Sequence, residues 1–192
     1  SYVMPMPGFR HTLLWCLLLL LTSPSFGAIE FKTLSVNDGL SQSTVLALAQ
    51  DPLGRIWMGT QDGLNCYDGY DFTVYRHVEG DPGSLDDNTV NTLLCDGGLL
   101  WIGTASGLSC YDAATGRFEN FRLEGRPMPV SDIARQEDGN LLLATDLGIV
   151  LFDRRSRTLE IRTYLKGISV HTICPSREGF LVGASDGIYT YS

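Results

Sequence analysis

No stretch of this 192-residue chain carries five like charges in a row, and its longest apolar run, Leu13–Leu21, has only nine residues. A membrane-spanning helix needs about 20, so that run is too short to cross a bilayer comfortably. Basic residues are few: 14 Lys and Arg stand against 22 Asp and Glu, a formal net charge of −8. This argues against a nucleic-acid partner, because a phosphate backbone is met by clustered Lys and Arg. Cysteine is sparse, with five in the chain, and no spacing among them resembles a zinc site. No acid–base pair or nucleophile–base pair can be pointed to. The expectation is therefore no catalytic residue, no cofactor and no metal. What the chain has in quantity is glycine, 21 residues, the mark of many tight turns.

The N-terminus has the features of an export signal. Arg10 and His11 precede the apolar run, Thr22-Ser23-Pro24 breaks it, and Ser25 and Gly27 fit the small-residue positions of a cleavage site. This predicts a signal peptide over 1–27, with an uncleaved anchor as the alternative. Cys16 follows Trp15. A lipid-modified cysteine normally follows a small residue, so no lipoprotein is read here. Cys66, Cys95, Cys110 and Cys174 remain, and export permits disulfides among them in three pairings. Cys66 and Cys110 hold equivalent places in two repeats, which favours small buried hydrophobes over bridges.

The repeat is the dominant signal. Four segments align: Val45–Asp68, Val90–Asp112, Val130–Asp153 and Val170–Ser192, with leading valines 45, 40 and 40 residues apart. Gly63, Gly107, Gly148 and Gly187 each lie four residues after Gly59, Gly103, Ala144 and Gly183. Four residues later again stands an aromatic: Tyr67, Tyr111, Phe152, Tyr191. Helical repeats have similar periods, but no segment between Gly and Pro breakers suits a helix of about 10–12 residues. Val45–Ala49 is a short apolar strand closed by Asp51-Pro52-Leu53-Gly54, and Arg55–Thr60, Leu64–Tyr67 and Phe72–Arg76 follow as further strands. Four short antiparallel strands per unit of about 40 residues make a propeller blade. The predicted fold is thus an all-β propeller of about four blades, near 45–76, 90–122, 130–164 and 170–192. Trp57 and Trp101 occupy one repeat position and are expected to fill gaps between blades. Leu142 and Leu181 hold that position in units three and four and should pack less bulk.

Residues 30–35 share the pattern of the fourth strands at Phe72 and Phe118, which predicts a ring-closing outer strand there. Either that strand completes the fourth blade in a closed four-bladed ring, or the chain is the first arc of a larger propeller. Ser1 in place of Met is a sign that at least one end is not the natural one.

Asp51-x-x-Gly54-x-Ile56-Trp57-Met58-Gly59-Thr60-x-x-Gly63-Leu64-x-x-Tyr67-Asp68 resembles the two-component regulator propeller repeat, as does Leu100–Asp112. Phe31-x-x-Leu34-x-x-x-Asp38-Gly39-Leu40-Ser41-Gln42 is similar to the way such sensor regions begin. In units three and four the pattern weakens, with Ala144, Leu142, Leu181 and Ser192 replacing Gly, Trp, Trp and Asp. The resemblance implies the periplasmic sensing region of a hybrid two-component histidine kinase anchored in the inner membrane. It further implies two successive seven-bladed propellers, a β-sandwich, a membrane span and cytoplasmic kinase and regulator domains, of which this chain would be the first part. It implies an oligosaccharide ligand and an output to transcription. The partners to expect are that ligand, further blades of the same parent chain and a second copy in a homodimer. No Gly-rich ATP-binding pattern is present, and His77 and His171 fall in a loop edge and a strand, not in a helical dimerisation segment.

A stand-alone secreted binding propeller is the alternative. Propeller glycosidases and quinoproteins are further ones. The Asp51–Trp57 hairpin is similar to a sialidase turn, where the Asp bonds backbone N–H groups, but the arginines Arg76, Arg117, Arg122 and Arg162 are dispersed. Ala113–Arg117 is similar to a quinoprotein turn and equally reads as a hairpin with Gly116 in the left-handed region. The turns between second and third strands, with the long connection His77–Asn88, should share one face. Gln61, Asp62, Asn88, Ser106, Asp146 and Asp186 are the candidate ligand contacts there, since such groups hydrogen-bond a neutral sugar. Gly63, Gly107, Gly148 and Gly187, with Trp57 and Trp101, are structural candidates.

Overall fold

The computed structural model describes residues 30–162 and 165–191, so the predicted signal peptide lies outside the described residues. The chain divides into two compact units. Only Glu30–Thr33 of the first are described, and they are irregular; the second begins at Leu34 and holds every described strand.

The first sheet shows how the sequence makes a blade. Strand β1 (Val45–Gln50) runs into Asp51-Pro52-Leu53-Gly54, where Gly54 takes a φ of +83° that a Cβ would penalise. The chain returns as β2 (Ile56–Thr60), turns at Gly63 (φ +103°) into β3 (Gly63–Tyr67), and turns at Asp68-Gly69 into β4 (Phe72–Tyr75). The strands pair antiparallel in sequence order. The second sheet repeats this with β5 (Val90–Asp96), β6 (Leu99–Thr104), β7 (Leu108–Asp112) and β8 (Arg117–Phe121). The third has β9 (Val130–Arg135), β10 (Leu141–Thr145), β11 (Gly148–Asp153) and β12 (Thr158–Ile161). The fourth has three strands, β13 (Val170–Ser176), β14 (Gly179–Ala184) and β15 (Gly187–Tyr191). The expected all-β fold of four blades is what the chain adopts.

The core lies between the blades. Trp57 packs with Leu85 of the long connection and with Val90, Leu100 and Tyr111 of blade two, and Trp101 with Met128 of the next connection and with Val130, Leu141 and Phe152 of blade three. The third interface uses the smaller Leu142 and Ala144 against Val170, Ile173 and Val182. Gly59 and Gly103 let the next inner strand come close. A Cβ on Gly59 would meet Val90 Cγ1 at 2.5 Å, and one on Gly103 would meet Val130 Cγ1 at 2.8 Å. Each inner strand is irregular near its first residue, as at Val45/Ala47 and Val90/Thr92, and such bulges re-aim side chains. Asn91 thereby donates to the Val130 carbonyl at 3.1 Å. Asp132 spans three blades: it accepts from Thr92 Oγ1 at 3.5 Å and from Thr172 Oγ1 and Ile173 N at 2.9 and 2.8 Å.

One expectation is corrected. Glu30–Ser35 forms no strand, and Phe31 is 90% exposed. Ser35 instead caps a 3-10 turn over Val36–Asp38: its hydroxyl accepts from Asn37 N, and its own N–H donates to Asp38 Oδ2 at 2.8 Å. A residue committed to a capping box has no N–H left for a ladder. The outer edge of β15 carries no partner strand among the described residues. Both flanks of the arc expose apolar side chains: Val45, Leu46 and Leu48 on β1, Leu181 and Ile188 on the last blade.

All four described cysteines are free. Cys66 and Cys110 are buried beside the tryptophans, across the ladder from Trp57 and Trp101. Burial pushes the Cys110 thiol up to about 12. Cys95 is half-buried and Cys174 exposed.

Candidate functional site

The β2–β3 turn and its counterparts lie beside the start of each inner strand, because Val45 pairs with Thr60, Val90 with Thr104, Val130 with Thr145 and Val170 with Ala184. A buried threonine holds each of the first three turns. Thr60 Oγ1 donates to Gly63 O at 2.9 Å and accepts from Asp62 N at 3.0 Å. Thr104 and Thr145 repeat this around Gly107 and Gly148. The glycine is needed at Gly63 and Gly148 for positive φ, while at Gly107 a Cβ would meet Phe121 O at 2.5 Å. Gly187 also takes positive φ, +155°, where Ala184 replaces the threonine. Each of the first three turns is tied to the approach of the next blade: Gly63 N donates to Asn88 O, Met128 N to Ser106 O and Gly167 N to Leu147 O.

This face brings four of the six candidates into one sector. Gln61 is exposed and accepts weakly from Gln42 Nε2 at 3.4 Å. Asp62 is held by Arg76 through bonds of 3.1 and 2.9 Å, and those bonds keep its carboxyl below the usual range. The Ser106 hydroxyl donates to Asp87 Oδ2 at 2.8 Å, and Asn88 Oδ1 accepts from His77 N at 2.8 Å. Asp146 and Asp186 sit on the turns of blades three and four, away from that sector. Asp146 is exposed, and Asp186 accepts from the Tyr189 hydroxyl at 2.9 Å. Asp62, Ser106 and Asn88 are thus engaged internally, leaving Gln61 and Asp146 as the freest polar groups of the six.

The sequence reading overlooked the polar knot behind Gln61. Ser41 N donates to Asn65 Oδ1 at 2.9 Å, Asn65 Nδ2 donates to Ser41 Oγ, and Ser41 Oγ lies 3.0 Å from Thr60 Oγ1. Gln42 Oε1 beside it is buried with no donor among the described residues. It overlooked also that Asp86 of the long connection binds Arg122 at 2.8 and 3.0 Å. The phase-locked Thr60, Thr104 and Thr145 were the available signal for the turns.

The opposite ends of the blades carry two clefts. The first, about 390 Å³ between blades one and two, is apolar, with Leu53, Trp57, Leu99 and Tyr111 in its wall. At its rim Asp51 Oδ1 accepts from Leu53 N and Arg55 N, and Oδ2 from Arg55 Nε and Trp57 Nε1. Burial pushes the Asp51 carboxyl up, but the bonds from Trp57 and Arg55 outweigh it and leave the pKa lowered. The second cleft, about 430 Å³, opens between blades two and three and is lined by arginines. No group of three or more His, Cys, Asp or Glu side chains is arranged to hold a metal among the described residues.

Sheets stacked in sequence order, each inner strand packed on the next, define the chain as a β-propeller repeat protein. Residues 39–62 match the two component regulator propeller model, which overlaps the first part, residues 51–62, of the repeat read from Asp51–Asp68. Over 55 residues, 29% of this chain and 4% of the relative, the sequence is 47% identical to Histidine kinase P4 of Formosa agariphila. The fold is similar to the extracellular domain of a hybrid two component system from B. thetaiotaomicron, with a TM-score of 0.68 and 22% identity over 86% of this chain and 24% of that one. It is similar also to the WD40 β-propeller domain of Doa1, with a TM-score of 0.60 and 16% identity over 77% and 51% of the two chains. At these identities both structures speak for the fold. The chain spans 4% of the curated relative and 24% of the extracellular domain. No helix among the described residues is long and apolar enough to cross a membrane.

Proposed function

We propose that this chain is the N-terminal part of the extracytoplasmic sensing propeller of a hybrid two-component system, and that it responds to an oligosaccharide and signals to transcription. The observation that carries this reading is the 47% identity over 55 residues with Histidine kinase P4. Two features support it. The apolar run Leu13–Leu21 with its flanking residues suits export. The exposed flanks at Val45, Leu48 and Ile188 suit further blades on both sides. On this reading the chain itself binds and does not catalyse, and phosphotransfer belongs to the parent's kinase domains. The loop face with Gln61 and Asp146 supplies amide and carboxylate groups for sugar hydroxyls.

The test begins with the native reading frame beyond Ser192. Continuation into more units of about 40 residues, a membrane span and a kinase is the expected result. The complete extracellular region is then titrated calorimetrically with a panel of oligosaccharides. Binding that weakens in Gln61→Ala and Asp146→Ala supports the loop face as the contact. A frame that stops at Ser192, or a region that binds no oligosaccharide, removes the sensor reading.

A further inference from the structure

We propose that the cleft between blades two and three binds a sugar unit bearing an oxyanion, a carboxylate or a sulfate; this rests on the oligosaccharide-sensor reading above. One wall is the face of blade two, where Trp101, Cys110 and Glu119 are successive cross-strand neighbours. The other is the turn between β11 and β12, which brings Arg154 and Arg157. Arg117 of β8 also lines the cleft, is exposed, and makes no ion pair among the described residues.

The two tryptophans differ in one atom's fate. In blade one the Trp57 N–H donates to Asp51 of its own hairpin at 3.0 Å. In blade two Asp96 holds the matching place, but the hairpin from Asp96 to Trp101 is one residue shorter than that from Asp51 to Trp57. Asp96 is instead bound by Arg154 at 2.5 Å and approached by Arg135 at 3.6 Å. The Trp101 N–H is left buried with no partner among the described residues. A buried donor without an acceptor is uncommon and costly. The Arg154 guanidinium carbon lies 5.4 Å from the centroid of the same indole, so a ligand that engages Arg154 sits beside this N–H.

Arg157 adds a second oddity. It takes φ +59° at the position where the matching hairpin of blade two has Gly116 at +69°. A side chain is disfavoured there, yet the turn keeps an arginine, which bonds Glu119 across the cleft and lies over Phe121.

Together these groups select a ligand class. A guanidinium fork meets a carboxylate or sulfate through paired hydrogen bonds. Asp112 and Glu119 accept from sugar hydroxyls. A neutral sugar leaves the Arg117 charge unmatched. A bare anion has no hydroxyls for Asp112 and Glu119 and is repelled by them. The apolar cleft between blades one and two has no such set, since its indole N–H is satisfied.

The complete extracellular region is titrated calorimetrically with an oligogalacturonate tetramer, a sulfated galactan tetramer and neutral cellotetraose. One acidic probe is expected to bind, and which one separates carboxylate from sulfate. Arg117→Gln, an exposed change, should weaken that probe about tenfold and leave any cellotetraose binding unchanged. Arg157→Gly, which keeps the left-handed turn, should weaken it in the same direction, and added salt should weaken it further. Acidic-probe affinity untouched by both variants, or binding of the neutral probe alone, overturns the site while the sensor reading stands. Binding of no probe overturns the site, and the wider oligosaccharide panel with Gln61→Ala and Asp146→Ala decides the sensor reading separately.

Discussion

The Trp57 indole N–H donates to the Asp51 carboxylate at 3.0 Å, joining the second strand of the first blade to the turn that precedes it. Asp51 also accepts from two backbone N–H groups and from Arg55. Asp51→Ala leaves these donors short of an acceptor in a largely buried place. A loss of about 3 kcal/mol is expected, because unmatched buried donors and a lost charged bond both count. Urea unfolding of the whole propeller measures it, and a loss below about 1 kcal/mol would show the carboxylate to be incidental.

The acid limb of stability follows from the same group. Asp51 and Asp62 have pKa values lowered on folding. Their contribution is therefore fully present above the unfolded carboxyl value of about 4 and is lost as pH falls through the lower folded values. Stability should decline below about pH 4, and Asp51→Asn should flatten that decline. An acid limb unchanged in the variant would assign the effect to other carboxyls.

Close approach of blades makes Gly103 sensitive. A Cβ there meets Thr92 Cγ2 at 2.5 Å and Val130 Cγ1 at 2.8 Å, so Gly103→Ala should cost about 1–3 kcal/mol by overpacking. The third interface already carries Ala144 at this repeat position. Ala144→Gly should therefore cost less, about 1 kcal/mol from lost burial and added chain freedom. Equal effects at the two sites would refute the difference in spacing.

Val45 is 37% exposed, although Val90, Val130 and Val170 at the same repeat position are fully buried. Leu48 and Ile188, 67% and 80% exposed, mark the two flanks. Recombinant residues 28–192 should consequently self-associate, and Leu48→Glu with Ile188→Glu should reduce this. Sedimentation that finds a well-behaved monomer with a cooperative melt would speak for a self-sufficient arc.

Much of the candidate face was legible in the pattern, because turns are local. Gly63 and Gly148 announce positive φ, and Thr60, Thr104 and Thr145 recur in phase with them. The engagement of Asp62 by Arg76, of Ser106 by Asp87 and of Asn88 by His77 was not legible. Those partners are set by how strand ends and connections fold back, which composition and spacing do not encode. Segment 30–35 has the apolar spacing of a fourth strand, but it pairs with no strand among the described residues, and Ser35 caps the turn that follows it.

By itself, then, the sequence determined the repeat, the strand-and-turn order within each blade and the residues that fill the gaps. These follow from alternation, glycine placement and bulk, all of which act over a few neighbouring residues. Only the tertiary structure decided which of two equivalent tryptophans finds an acceptor. Trp57 has Asp51, whereas Asp96, on a hairpin one residue shorter, is bound by Arg154 of the next blade and the Trp101 N–H has no acceptor among the described residues. The shorter hairpin is visible in the sequence, but the partner Asp96 takes instead lies 58 positions away across a blade interface, which spacing along the chain does not encode.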